Sequence, residues 1–250
     1  MIIENNKIQI IRLDKNQGIG FAQNIGIEAI KSSGCKNLLL LDDDSVPSFD
    51  MVDELVNVLE AQRARNKKVG AIGSFYYDQD QTISPFYRIE RCRFRRQPVG
   101  AFDHSKQVDF LIASGTLIPL SVLDEVGGMR EDLFIDYVDI EWSYRTTQKG
   151  YSLYGAPRAK MKHQIGDKSE VIFGKTISTP NFSRQYYFSR NAVNLYLYSK
   201  LPLKWKIADL FRLVKITMLL ILFSNSNLGY LRAVLRGSFD GFINRLGPID

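Results

Sequence analysis

"LLLLDDDSVPSF", residues 38–49, runs four leucines into three consecutive aspartates. An unbroken apolar run reads as a strand covered on both faces, and such strands belong to sheets with helices on either side. In open α/β sheets ligands sit beyond the carboxyl ends of strands, so Asp42–Asp44 mark a place for chemistry. Working outward, "KIQIIRL" (7–13) reads as a strand, Gly18 to Ser33 as a helix, and "NLLLL" (37–41) as a fully buried strand. A helix from Phe49 to Arg65 follows, with Ser48 or Asp50 as N-cap, and "VGAIGS" (69–74) is a third strand. Strands alternating with helices predict an α/β fold with parallel pairing.

Beyond residue 80 the pattern loosens. "QVDFLIASGTLIP" (107–119) reads as a strand interrupted near Ser114–Gly115, and "SVLDEVGG" (121–128) as a short helix closed by glycine. "VDIEWSYRTTQKG" (138–150) is a further helix, and "YSLYG" (151–155) and "AKMKH" (159–163) have the look of edge strands. From Asn181 the chain is helical, with breaks at Pro202 and near "SNSNLG" (224–229).

The 250 residues, 45% hydrophobic, suffice for one sizeable core. The formal charge of +6 is unevenly placed: residues 84–106 carry six Arg/Lys against two acids, and residues 201–250 carry seven against three. Cys35 and Cys92, with no CxxC, suggest neither a disulfide framework nor a zinc knuckle, which fits a reducing compartment. "MIIENNKIQII" lacks the basic segment and apolar core of a secretory signal, and the apolar run Ile216 to Phe223 is short of the ~20 residues of a spanning helix. A cytoplasmic protein is expected.

Three adjacent acids repel unless a cation offsets them, and hard oxygen ligands suit Mg2+ or Mn2+. On an extended backbone Asp42 and Asp44 share one side and Asp43 points away. A capping or turn cluster after a buried strand reads equally well from the triplet alone. The stretch departs from an EF-hand loop, with Pro47 where its glycine belongs and Asp53 where its glutamate belongs. A second acidic cluster lies in "LFIDYVDIEWSYR" (133–145), where Asp136, Asp139 and Glu141 gather beside Trp142. Asp139 as a helix cap and Glu141 with Arg145 as an i,i+4 pair are the plain structural readings. Two carboxylate clusters and His163 together also match metal-assisted group transfer, one cluster holding a cation on a diphosphate while the other removes a proton from a hydroxyl.

The segments "NQGIGFAQNIGI" (16–27), "LLLLDDDSVP" (38–47), "FLIASGTLIP" (110–119), "VGGMREDLFIDYVDIEWSYR" (126–145), "GYSLYGAPRAKMKHQIG" (150–166) and "RQYYFSRN" (184–191) carry a resemblance. In these the chain resembles the family 2 inverting glycosyltransferases of GT-A fold, and within them the bacterial rhamnosyltransferases of surface-polysaccharide synthesis. Those relatives usually read Asp-Gln-Asp-Ser where this chain has Asp42-Asp43-Asp44-Ser45, and usually begin with an additional strand that holds the nucleotide base.

The resemblance therefore implies an α/β, GT-A-like catalytic domain over residues 1–178, a mixed sheet flanked by helices and N-terminally truncated by one βα unit, with a helical extension over 179–250. It implies that Asp42 contacts the sugar nucleotide, that Asp42, Asp44 and His163 bind Mg2+ or Mn2+, and that Asp139 is the general base with Glu141 as runner-up. Gly18, Asn24, Trp142, Arg184 and Arg190 are the candidate substrate contacts. Expected partners are a nucleotide-sugar donor such as dTDP-rhamnose and a lipid-linked saccharide acceptor, with no nucleic acid. "RIERCRFRR" (88–96) reads as a solvated strand or an acceptor-side loop. The segment "LKWKIADLFRLVKITMLLILF" (203–223) fits a helix lying peripherally on an anionic membrane and equally a helix packed on the core. An exposed edge strand at 7–13 would invite homo- or hetero-oligomers. A transferase for galactofuranose and a poorly active accessory protein of the same fold are the alternatives.

Overall fold

The structure, a computed structural model, describes residues 2–5, 8–77, 85–100, 103–163, 169–172, 175–223 and 227–249. It begins with an antiparallel hairpin of β1 (Ile2–Asn5) and β2 (Ile8–Ile11). Helix α1 (Ile19–Lys31), strand β3 (Asn37–Leu40), strand β4 (Ser45–Pro47), helix α2 (Met51–Ala64) and strand β5 (Val69–Tyr77) follow. A second hairpin, β6 (Tyr87–Glu90) and β7 (Arg93–Arg96), precedes β8 (Lys106–Val108), β9 (Thr116–Pro119) and α3 (Leu120–Val126). A 3-10 turn at Glu131–Leu133 leads to α4 (Val138–Gln148) and the long β10 (Ser152–His163). After a hairpin of β11 (Ser169–Ile172) and β12 (Lys175–Ser178) come α5 (Phe182–Tyr198), α6 (Leu203–Phe223) and α7 (Asn227–Phe242).

The main sheet is mixed, in the order β3-β9-β5-β10-β4 with β8 also on β10. This is the mixed sheet flanked by helices that the resemblance implies, and the parallel pairing read from alternation holds only in part. β3 and β5 do run the same way across their helical crossover α2, but β9 inserts between them antiparallel to both, and among the described residues only β5 and β10 are direct parallel neighbours. Leu38 and Leu40 of β3 pack into the core on one side of the sheet and Leu39 into the core on the other, which is why leucine stands at every position instead of alternating. β3 is nevertheless half-buried rather than fully buried, because it ends the sheet among the described residues. The segment 7–13 does not enter this sheet either. Its β2 pairs with β1, and Ile8 and Ile10 are exposed.

On one face, α2 buries Met51, Leu55, Val58 and Leu59 against Ile72, Leu117 and Met161, each contributing about 1.5–3 kcal/mol of apolar burial. On the other face lie Val122 and Leu123 of α3, Trp142 and Tyr144 of α4, Leu195 of α5 and Trp205 of α6. The last helices thus share the principal core. "YSLYG" and "AKMKH", expected as edge strands, form one interior strand, β10, flanked by β5 and β4. A register break between Ala156 and Lys160 absorbs Pro157 and Arg158, the residues that make the two halves look separate.

Candidate active site

Strand β3 stops at Leu40, and the three aspartates fall in the turn that leads into β4, closed by the Ser45 N–H donating to the Asp42 carbonyl at 3.2 Å. Ser114 spans this turn. Its Oγ accepts from the Asp42 N–H at 3.1 Å and lies 2.8 Å from the Ser45 hydroxyl, while the Gly115 N–H donates to the Leu40 carbonyl at 2.8 Å. Because the backbone turns rather than extends, strict alternation fails: Asp43, expected to point away, lines the same cavity as Asp42 and Asp44. The cavity measures about 970 Å3.

Ile135, Asp136 and Tyr137 of the loop before α4 also line it, and there Phe134, Asp136 and Tyr137 all hold positive φ, at 66°, 60° and 65°. Non-glycine residues adopt this region only when their surroundings enforce it. The enforcement comes from α5. Asn191 Nδ2 donates to the carbonyls of Leu133, Ile135 and Asp136 at 2.9, 2.7 and 3.2 Å, and Arg190 Nη2 donates to Leu133 at 2.9 Å. The result aims Asp136 and Asp139 into the cavity with Asp42–Asp44.

Asp139 is lifted from an ordinary carboxyl value to about 6, chiefly by burial and further by the charge of Asp136, against the pull of the Ile140 and Ala113 N–H groups. A carboxyl poised there is suited to taking a proton near neutral pH. Asp136 is gripped by the Arg184 guanidinium, at 3.1 Å from Nη2, and Arg184 lines the cavity as well. Beyond them Tyr87 and Phe110 stack with ring centroids 5.8 Å apart, and Phe94 meets both edge-on. The α6 residues Asp209 and Arg212 close this aromatic end. Asp209, wholly buried, accepts from the Tyr137 and Tyr196 hydroxyls at 2.8 and 2.7 Å and from Arg212 at 2.6 Å.

The structure therefore brings Asp42, Asp44, Asp139 and Arg184 together and sets the other candidates elsewhere. Glu141 places both carboxylate oxygens on Arg145, which also donates to the carbonyls of Val126 and Gly128; it is the i,i+4 pair of the plain reading and does not line the cavity. Trp142 is buried and donates to the Gly127 carbonyl. Asn24 is spent on the Met129 backbone and Glu131. Gly18, at φ 89°, lets α1 start against the Phe134 backbone, so it supports the strained loop from behind. Arg190, expected at a phosphate, is 1% exposed and committed to carbonyls of the loop and of Gly247. His163 ends β10 opposite Ser45, one residue from Asp44, but its side chain lies outside the described residues. Ser114, Asn191, Asp209 and Arg212 carry no local signal. Gln23, from α1, also lines the cavity with a buried Oε1 that has no partner among the described residues.

No group of three metal-ligating side chains occurs among the described residues. Two turn carboxylates at the mouth of a roomy cavity still fit a hard divalent ion of the kind held by one or two carboxylates together with a substrate's phosphates.

Carboxylates from two distant stretches of chain, Asp42–Asp44 in a turn beyond a sheet strand and Asp136 and Asp139 at the start of α4, line one cavity, an arrangement suited to a group-transfer enzyme. Residues 1–184 match the family model for glycosyltransferase-like family 2, and the chain belongs to that family and is a glycosyltransferase. It is 32% identical over 241 residues to the dTDP-rhamnosyl transferase RfbF of Shigella flexneri, covering 94% of this chain and 78% of that protein. The crystal structure of GalNAc-T7 with UDP, GalNAc and Mn2+ superposes with a TM-score of 0.48 at 15% identity, over 86% of this chain and 44% of that one.

Proposed function

We propose that this glycosyltransferase moves L-rhamnose from dTDP-rhamnose, with inversion, onto a lipid-linked or polysaccharide acceptor in cell-surface glycan synthesis at the inner face of the membrane. The observation that carries the reading is the meeting of Asp42, Asp44 and Asp139 around one cavity; the similarity to a dTDP-rhamnosyl transferase supports the donor. Asp42 and Asp44 would hold Mg2+ or Mn2+, with His163 as a further candidate ligand, and the bound ion would supply positive charge to the departing diphosphate. Asp139 accepts the proton of the acceptor hydroxyl as its oxygen bonds to the anomeric carbon and the bond from that carbon to the phosphate oxygen breaks on the far side. Arg184 offers a forked donor beside the diphosphate, and the rings of Tyr87, Phe94 and Phe110 offer flat apolar surface to an acceptor sugar.

Calorimetric titration with dTDP and with UDP, each with and without Mn2+, tests this. Tight dTDP binding that requires Mn2+ and is lost in Asp44→Ala supports it. Preference for UDP reassigns the donor, and binding of neither nucleotide to folded protein overturns the reading.

A further inference from the structure

Helices α6 and α7 each bury one face and leave the other apolar and uncovered. On α6 the inward positions are Trp205, Ala208, Asp209, Leu213 and Leu220. The outward stripe is Leu203, Leu210, Phe211, Val214, Met218 and Leu222, with Phe211 71% exposed. On α7 the small residues Gly237 and Gly241 sit against the backbone of α5, and the outward stripe is Leu228, Leu231, Leu235, Phe239 and Phe242, at spacings of three and four that keep one side of a helix. Soluble surfaces seldom leave two consecutive helices in this state.

The charges around the stripes decide what covers them. Lys204, Lys215, Arg232 and Arg236 are exposed on these helices, Lys204 lying 3.7 Å from Asp109 and Arg236 4.0 Å from Asp240, whereas the helices' two carboxylates, Asp209 and Asp240, are buried and accept from the Tyr137 and Tyr186 hydroxyls. The exposed surface of both helices is thus apolar and cationic with no exposed carboxylate, the composition that binds acyl chains and anionic headgroups together. Neither helix is long and apolar enough to cross a bilayer.

We infer that the outer face of the α6–α7 pair is a docking surface for an anionic lipid bilayer. The arrangement has a further consequence for the site. Asp209 and Arg212, on the inner side of α6, line the cavity, so one helix is both membrane face and cavity wall. Docking sets the aromatic end of the cavity about one helix diameter, ~10 Å, from the lipid headgroups, where the sugar of a lipid-linked acceptor would lie. The inference deepens the proposed function by giving the acceptor its source, yet it stands on the helix faces, and the two fail separately.

The test is flotation of the purified full chain with vesicles of phosphatidylglycerol and phosphatidylcholine, against vesicles of phosphatidylcholine alone. The unaltered protein should float with the anionic vesicles and release in high salt. Leu235→Glu with Phe239→Glu, and separately Lys215→Glu with Arg232→Glu, should each lower the bound fraction at least about tenfold while leaving the thermal melt and the affinity for dTDP unchanged. Equal flotation of all forms would overturn the inference. So would absence of vesicle binding by a protein that light scattering shows to be a dimer and that Leu235→Glu with Phe239→Glu renders monomeric, since a second copy would then cover the face.

Discussion

Asp139→Asn should make the protein more stable and nearly inactive at once. The folded chain keeps the Asp139 proton up to a pH of about 6, whereas an unfolded chain releases it near the ordinary 3.8. Between those values the folded state binds more protons, so this residue's contribution falls as pH rises through the window and stays at its minimum above it. At ~1.4 kcal/mol per pH unit the ionised carboxylate costs the fold about 3 kcal/mol at neutral pH. An asparagine is never charged, and its oxygen can accept only part of what the Ile140 and Ala113 N–H groups now donate. Allowing about 1 kcal/mol for the weakened hydrogen bonding leaves a net gain of about 2 kcal/mol. For a chain of this length that raises Tm by roughly 4–8 °C. The measurement is a pair of thermal melts of both proteins, at about pH 7.5 and about pH 3, where the difference should nearly vanish because both states then hold the proton. Transfer activity should fall by about 10²–10⁴. Equal melting temperatures at the higher pH would refute the buried-charge argument, and transfer within about tenfold of the unaltered protein would remove Asp139 from the base role.

Glu141→Gln should leave the rate and its pH profile nearly unchanged, because both Glu141 oxygens serve Arg145; steady-state kinetics across pH reads this directly. Asn191→Ala, which strips three carbonyl contacts from the strained loop, should lower kcat about ten- to a hundredfold with little change in dTDP affinity, and cost about 1–3 kcal/mol in urea melts. Asp209→Ala leaves Arg212 and two tyrosine hydroxyls without their shared acceptor and should cost about 3–5 kcal/mol by the same melts. Gly20→Ala would press a Cβ to 2.7 Å from the Arg130 carbonyl and should displace α1 from the loop, visible as a lowered Tm.

What the sequence revealed depended on the range over which each signal acts. The leucines of β3 and the spacing of Met51, Leu55 and Leu59 in α2 are local patterns, and both elements stand where periodicity puts them. Asp42, Asp44 and Asp139 were visible because charge crowded at the end of an apolar segment is conspicuous by itself. β10 was misread because Pro157 and Arg158 interrupt its pattern, although a bulge carries the strand through them. Ser114 reaches its partners across 72 and 69 residues of chain, and Asn191 works on a loop 55 to 58 residues away. Contacts of that length depend on topology, and the mixed order of this sheet could not be read from the alternation of strands and helices. The placement of Arg190 illustrates the same limit: nothing near it in sequence announces that its guanidinium will be filled by carbonyls.

The loop at 134–137 is held from α5, and the Gly247 N–H donates to the Asp132 carbonyl at its base at 2.8 Å. A nascent chain emerging from the ribosome therefore carries both acidic clusters well before it owns the parts that set them. Competence arrives only once Arg190, Asn191 and Gly247 have been made. A protease clip just ahead of Gly247 should silence the enzyme while leaving the sheet that bears its aspartates folded.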